Sequence, residues 1–235
     1  MQSIADQDEA ALGGAMSILV RQKRDHVKLD ALLHELGRAT GEEQKDVLNR
    51  INRLVFPHAF AEEAVLWPTL RRLLPDGEEL TLQVEQEHQE VNELVVQLER
   101  TEDPAVRQPL LDRLVEVLRE DVRDEEDTLL PRLQDKLDQR SLTRLGLAWE
   151  AVRRTAPTRP HPVVARRPPG NTLSALPLSV IDRARDRVDR AARVAAHPSK
   201  ERFEATSRVL ARVAGAVEQL PPMKRGEDPS THRVA

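Results

Sequence analysis

The sequence predicts an all-α protein: an up-down-up-down four-helix bundle with a C-terminal helical appendage. Three observations predict it. Apolar residues recur at helical spacing almost throughout the first 150 residues. Aromatic residues make up only 2% of the chain, with no tyrosine, which is unlike a β-sandwich or barrel. The helical stretches are of similar length and joined by short connections, which favours antiparallel neighbours.

Each element follows from its own pattern. The first helix is expected from Met16 to Leu36, with Leu19, His26, Leu29, Leu33 and Leu36 on one stripe, ending near Gly37 and Gly41. The second starts about Glu42 and aligns Ile51, Val55, His58, Glu62, Leu66, Thr69 and Leu73 before Pro75-Asp76-Gly77 stops it. The third begins near Glu78 and aligns Leu80, Val84, His88, Val91, Val95 and Leu98, with a break at Asp103-Pro104. The fourth runs from about Ala105 with Leu111, Leu114, Leu118, Asp121, Glu125 and Leu129.

Charge divides the chain. Residues 1–150 carry 19 basic and 32 acidic side chains, a net of −13; residues 151–235 carry 17 and 8, a net of +9, for −4 in all. Six prolines lie between Pro157 and Pro177, a composition that favours an extended linker. The expected organisation is a flexible N-terminus over 1–15, a bundle over 16–150, a Pro-rich linker over 151–177, a basic helical hairpin over 178–220 and a disordered tail over 221–235. In the hairpin, Ile181, Ala184, Val188, Ala191 and Ala195 form one stripe and Phe203, Leu210, Val213, Val217 and Leu220 another, with Ser199 as the second helix's N-cap. Such a pair buries little apolar area alone, so it is expected on the bundle or on a second copy of the chain.

Some functions are excluded. Without cysteine there are no disulfides, thiolate catalysis, zinc fingers or iron–sulfur clusters. No run approaches the ~18 apolar residues of a spanning helix, and the acidic opening MQSIADQDEAALGG is unlike a secretory or transit segment. The expectation is a cytoplasmic protein with no membrane partner. The basic appendage lacks stacking aromatics and any groove-reading motif, so charge complementarity with the acidic bundle is favoured over nucleic acid.

The chain also repeats itself. HAFAEEAVLWPTL from His58 matches DVRDEEDTLLPRL from Asp121, sharing the EE pair and then Pro68 or Pro131; DHVKLDALL around His26 answers EHQEVNELV around His88. Two related helix pairs imply a pseudo-twofold bundle with a site on its axis. His26, His58, Glu62, His88, Asp121 and Glu125 occupy core-stripe positions near mid-helix, where apolar residues belong. Three imidazoles and three carboxylates buried without partners would cost several kcal/mol per group. Two divalent or trivalent cations remove that cost. His58 and Glu62, at i and i+4, lie about 6 Å apart on one face and suit a shared cluster.

His26, the His58-x-x-x-Glu62-Glu63 motif with Pro68, Glu87-His88, and Glu125-Glu126 with Pro131 resemble the hemerythrin-like, HHE cation-binding family over residues 16–140. The PHP segment and two further helices make the whole chain similar to longer bacterial members. The resemblance implies a non-haem di-iron centre, oxo- or hydroxo-bridged, with His26, His58 and His88 as terminal ligands and Glu62 and Glu125 as bridges. It implies a protein that binds, senses or reduces a small oxidant (O2, NO or peroxide) or holds iron. Mn or Zn is the lesser alternative, because His/carboxylate sets are not selective. Two departures matter. Asp121 stands where the family usually has histidine, and Val84 stands where hemerythrins proper have a second histidine. The carboxylate-rich set favours Fe(III), tilting the expectation toward oxidation or sensing. Asp121 is also the ground for the competing reading, a metal-free helical interaction module with a degenerated ligand set. No substrate pocket is legible, so turnover stays undecided.

The remaining candidates have plainer expectations. Glu63 and Glu126, about 100° off the stripe, are expected on the surface or behind the ligands, as is Glu85; Asp30 is expected to be solvated. His34, His161, His197 and His232 have no partner at ligand spacing, and His161 is expected to be exposed in the linker. Phe56, Phe60 and Trp67 are candidates for walling a gas pocket.

Overall fold

The computed structural model describes residues 1–231, among which there is no strand and no helix long and apolar enough to cross a membrane. Four helical rods build the bundle. The first is α1 (Ile18–Leu36), capped by Ser17, whose hydroxyl accepts from Leu19 N at 3.2 Å. The second is α2 (Gly41–Ala61), continued through a π-helical turn at Glu62–Leu66 into α3 (Trp67–Leu73). The third is α4 (Gly77–Arg100). The fourth is α5 (Pro104–Asp124), continued through a second π turn at Glu125–Leu129 into α6 (Leu130–Lys136). Asp103 caps α5 by accepting from Ala105 N at 2.9 Å, and Pro104 starts it where no donor is needed.

The core of the bundle consists of two apolar clusters. One gathers Leu29, Leu33, Ile51, Leu54, Val91, Val95, Leu114 and Leu118 among others; the second gathers Leu19, Leu66, Trp67, Leu70, Val84, Leu129 and Leu133. Along every rod the two clusters are separated at the positions of His26, His58 with Glu62, His88, and Asp121 with Glu125. The polar residues therefore form one layer through the middle of the bundle, as antiparallel packing of the four stripes requires.

Sequence periodicity assigned no element to residues 139–155. The structure has α7 (Gln139–Thr155) there, packed on α1, α2 and the first π turn, with Trp149 1% exposed. Its close approach depends on Gly146. A Cβ there would lie 2.3 Å from Met16 O and 2.8 Å from Ile18 N, backbone atoms with no room to give. Gly146→Ala is expected to lower stability by about 1–3 kcal/mol, read as a drop in Tm; an unchanged Tm would mean that α7 is not held as described.

Several boundaries differ from expectation. Residues 1–15 do not trail away: Ile4 and Leu12 are buried in the second cluster, and Lys23 Nζ donates to Ala5 O and Gln7 O, both at 2.6 Å. Apolar anchors eight residues apart suffice to dock the segment. The expected linker is shorter, because α8 (Gly170–Val194) starts at Gly170 with Pro177 inside it. Leu173, whose carbonyl the proline ring leaves without its helical donor, is exposed to water instead. The segment before α8 is packed, with Pro157, Thr158, Arg159, His161, Val164, Ala165 and Arg166 buried. α9 (Ser199–Glu218) pairs with α8, and Pro198 rather than Ser199 takes its cap position. Beyond it, Pro221–Lys224 form a 3-10 turn against the segment: Ala165 N donates to Met223 O at 2.9 Å and Gly170 N to Arg225 O at 3.0 Å. Those backbone donors place this part of the expected tail against the segment before α8. His232 and the last residues lie outside the described residues.

His161, expected to be exposed, is 7% exposed and bracketed by Asp182 of α8 (Nε2, 3.0 Å) and Glu218 of α9 (Nδ1, 2.9 Å). Burial pushes its pKa down, but the two carboxylates outweigh that and hold it up at about 9. The folded value exceeds the unfolded one near 6.5, so this stabilisation is complete below pH 6.5 and is lost as pH rises through 9. It amounts to about 3 kcal/mol. The stability difference between wild type and His161→Asn is expected to shrink by that order between pH 6.5 and 9.5. A pH-independent difference would contradict the bracketed imidazolium.

Candidate metal centre

The π turns decide the site. In each, the N–H at the end reaches back five residues, Trp67 N to Glu62 O and Leu130 N to Glu125 O. Pro68 and Pro131 follow at once, and their rings would collide with the carbonyls of Ala64 and Asp127 in a regular α-helix. The widened turn brings two successive glutamates inward where an α-helix would turn one away. Glu62 and Glu63 are 0% and 1% exposed, and Glu125 is 1% exposed. Of the two places expected for them, surface or behind the ligands, Glu63 and Glu126 take the second, against His88 and His26.

Each central imidazole is held from behind. His26 Nδ1 lies 2.9 Å from Glu126 Oε1, His88 Nδ1 3.0 Å from Glu63 Oε1, and His58 Nδ1 3.3 Å from Asp25 Oδ2. Three Nε2 atoms are thereby aimed into the layer. There His26, His58, Glu62 and Glu125 present donor atoms within 4.8 Å of one another, and so do His88, Asp121 and Glu125. Glu125 belongs to both groups. Glu62 spans them too, with Oε1 2.9 Å from His58 Nε2 and Oε2 3.7 Å from His88 Nε2. All six residues singled out in the sequence converge here.

What faces the centre is unsatisfied. Among the described residues, His26 Nε2, His88 Nε2, Asp121 Oδ1 and both carboxylate oxygens of Glu62 and of Glu125 are buried without a hydrogen-bond partner. His26 Nε2 is 3.1 Å from Glu125 Oε2 but misaligned for a hydrogen bond. Seven buried donor atoms converging without partners is costly in a protein interior. Protons relieve part of the cost. Burial, then Glu62 and Asp121, push Glu125 up to about 8, while carboxylate neighbours overcome burial to hold His26 at about 9 and His58 and His88 well above the ordinary range. Asp25 is held low, against its own burial, by His58 and Arg153.

Two Trp rings complete the shell, Trp67 stacked on His88 (centroids 6.5 Å) and Trp149 edge-on to His58 (5.3 Å). A cavity of about 20 Å3 lies on the centre, lined by Leu29, Leu54, Val55, Ala59, Leu118 and Val122 beside the His and Asp residues. Phe56 and Phe60 line a different crevice and Trp67 packs in the core, so the expected aromatic walls are aliphatic instead. A larger cavity of about 290 Å3, lined partly by Lys23, Asp30 and Arg119, shares His26, Leu29, Leu118 and Val122 with the small one and leads outward.

Sequence reasoning missed other groups. Asp25 precedes His26 as Glu87 precedes His88, and that repeat was the available signal. Gln22, one turn before His26, is fully buried with both amide atoms unpartnered, and nothing in the sequence marked it. Glu85 is fully buried rather than exposed, and is held by Arg71 at 2.5 Å and Arg167 at 2.8 Å. His34 and His197 are exposed beside Asp30 and Glu201.

This arrangement defines a class: a four-helix bundle with a candidate metal centre in its core, built from inward His and carboxylate side chains. Residues 17–133 match the hemerythrin HHE cation binding domain, and this part of the chain is a hemerythrin-like domain. An uncharacterized hemerythrin-like protein of Schizosaccharomyces pombe is 27% identical over 135 residues. The match takes in 57% of this chain and 66% of that protein, so the chain spans just under two thirds of the relative's length. No solved structure matches the chain.

Proposed function

We propose that the bundle holds two metal ions, iron before Mn or Zn, and binds, senses or reduces a small oxidant (O2, NO or peroxide). The observation that carries this reading is the seven unpartnered donor atoms around one point, each facing histidine fixed from behind by a carboxylate. That backing fixes the ring tautomer and raises ligand basicity, an arrangement characteristic of metal-binding histidines. In this reading His26, His58, Glu62 and Glu125 would hold one ion and His88, Asp121 and Glu125 the other, with Glu62 in reach of both groups. A pair of ions bound there would supply a coordination site and electrons for a small oxidant. The chain's own residues do the rest. Leu29, Val55, Leu118 and Val122 give the centre an apolar lining, and a cavity of about 20 Å3 has room for a ligand of water or diatomic size. A metal-free interaction module is disfavoured, because it leaves those donors buried without purpose.

Metal content per chain, measured by elemental analysis on protein expressed with iron and read beside the visible spectrum, tests the proposal. About two irons with an oxo-bridge charge-transfer band is the expected result, and one iron would assign the deficit to the Asp121 side. No metal after reconstitution would overturn the reading and promote the interaction module.

A further inference from the structure

Six arginines surround one open cleft of about 490 Å3 on the face of the bundle where α7 meets α8. Arg53 comes from α2, Arg153 and Arg154 from the end of α7, and Arg183, Arg187 and Arg190 from one face of α8. Elsewhere some surface arginines have carboxylates of their own, such as Arg113 with Glu90, Arg132 with Asp76 and Arg193 with Asp46. Here they do not. Asp186, the one acid in the cleft wall, is divided between Arg53, Arg159 and the Thr158 hydroxyl. Glu150 is shared by Arg153, Arg154 and Arg21. Arg183 donates to the carbonyls of Arg154 and Ala156. Among the described residues, Arg187 and Arg190 have no carboxylate within 4 Å and no hydrogen-bond partner.

Guanidinium groups from three helices around one concavity, with fewer counter-charges than arginines, form a positive patch suited to an anion. Guanidinium forks match phosphate oxygens two at a time. The remaining lining, Pro57 and Thr158, offers no aromatic face for a base. The chemistry recognised is therefore the phosphate chain itself.

One arm of the cleft reaches the buried centre. Arg153 Nη1 lies 3.6 Å from Asp25 Oδ2, the same oxygen that stands 3.3 Å from His58 Nδ1. Its guanidinium also sits 5.1 Å over Trp149, the ring that meets His58 edge-on. An anion that draws Arg153 outward removes a positive charge from Asp25 and so changes what His58 Nδ1 feels.

We propose that the α7–α8 cleft binds a small anion with two or more linked phosphates, and that its occupancy is relayed to His58 through Arg153. The relay rests on His58 being a metal ligand, as proposed above; the binding site does not.

Calorimetric titration of the metal-free full chain with inorganic tripolyphosphate, in 0.15 M salt, separates the two parts. One site per chain is expected, weakened at least ~10-fold in the double variant Arg187→Gln/Arg190→Gln, since hydrogen bonds to charged groups are worth that much each. Both arginines hold nothing in the fold, so the variant is expected to melt as wild type does. Equal binding by the variant would overturn the site, as would heat that vanishes at this salt, the mark of non-specific screening. So would an oligonucleotide that binds more tightly than tripolyphosphate and is weakened by the same two substitutions, which would assign the cleft to nucleic acid. A nucleoside triphosphate is expected to bind no more tightly than tripolyphosphate; a clear gain would assign the cleft to a nucleotide base and overturn the phosphate-only reading. On iron-loaded protein, tripolyphosphate is expected to shift the visible band in wild type and not in Arg153→Gln at a saturating concentration. A bound but spectrally silent anion overturns the relay alone. Failure to load iron overturns the metal reading and the relay with it, while the calorimetric result on the cleft stands.

Discussion

Glu125→Gln is expected to act in opposite directions on the metal-free and metal-loaded protein. In the metal-free bundle Glu125 is pushed up to about 8, first by burial and then by Glu62 and Asp121. A carboxyl raised above its unfolded value of about 4.5 makes folding cost more as the solution becomes basic: the unfolded chain ionises first, and stability falls from pH 4.5 through pH 8. The loss is on the order of 4 kcal/mol across that window. Glu125→Gln removes the ionisation, so the metal-free variant is expected to melt higher than wild type at pH 8 and equally at pH 4.5. The same variant removes the one residue common to both donor groups. Metal content is expected to fall from two ions per chain to one or none. A variant that still carries two ions with an unchanged spectrum would sink the assignment of Glu125. Metal-free wild type whose stability does not change between pH 4.5 and 8 would show that the carboxylates are not crowded as the structure places them.

The second large effect is expected at Asp121. In the internal repeat Asp121 stands where His58 stands, and Glu87 where Asp25 stands. Asp25 holds His58 from behind; Glu87 instead faces another carboxylate, and burial together with Asp121 pushes it up to about 7. The frame of a fourth histidine is thus present without the ring. Asp121→His is expected to remove one of three crowded carboxylates, supply a nitrogen donor, and give Glu87 an imidazole to orient. Backing of this kind is worth ~10–100-fold in metal affinity. Metal retention against a chelator is expected to rise by at least ~10-fold, and the charge-transfer band to move. Identical retention and spectrum would mean that Asp121 Oδ1, 3.5 Å from His88 Nε2, is not at the metal.

Much of the bundle was legible because a repeating stripe reports locally which face of a helix is inward. Leu19, Leu29, Leu33 and Leu36, or Leu111, Leu114, Leu118 and Leu129, need only the 3.6-residue period, and all are buried. His26, His58, Glu62, His88, Asp121 and Glu125 were visible for the same reason, as polar residues on apolar stripes. The second tier was not. Glu63 and Glu126 lie off the stripe of an ideal helix, and only the π turns ahead of Pro68 and Pro131 bring them round to His88 and His26. α7 was missed although it supplies Trp149 to the centre and Leu142, Leu145, Trp149 and Val152 recur at helical spacing, because four helices already complete a bundle and nothing local says that a fifth packs on it. His161 was misjudged because its partners lie 21 and 57 residues away.

The sequence alone therefore determined the helical class, the pseudo-twofold repeat and the six side chains that meet in the bundle's middle, since each is a property of one helix read at its own period. Tertiary structure alone decided which carboxylate stands behind each imidazole, how the C-terminal helices lie on the bundle, and where arginines from three helices face one cleft. Those are relations between distant segments, fixed by packing and by the need to pair buried charge, and no local pattern encodes them.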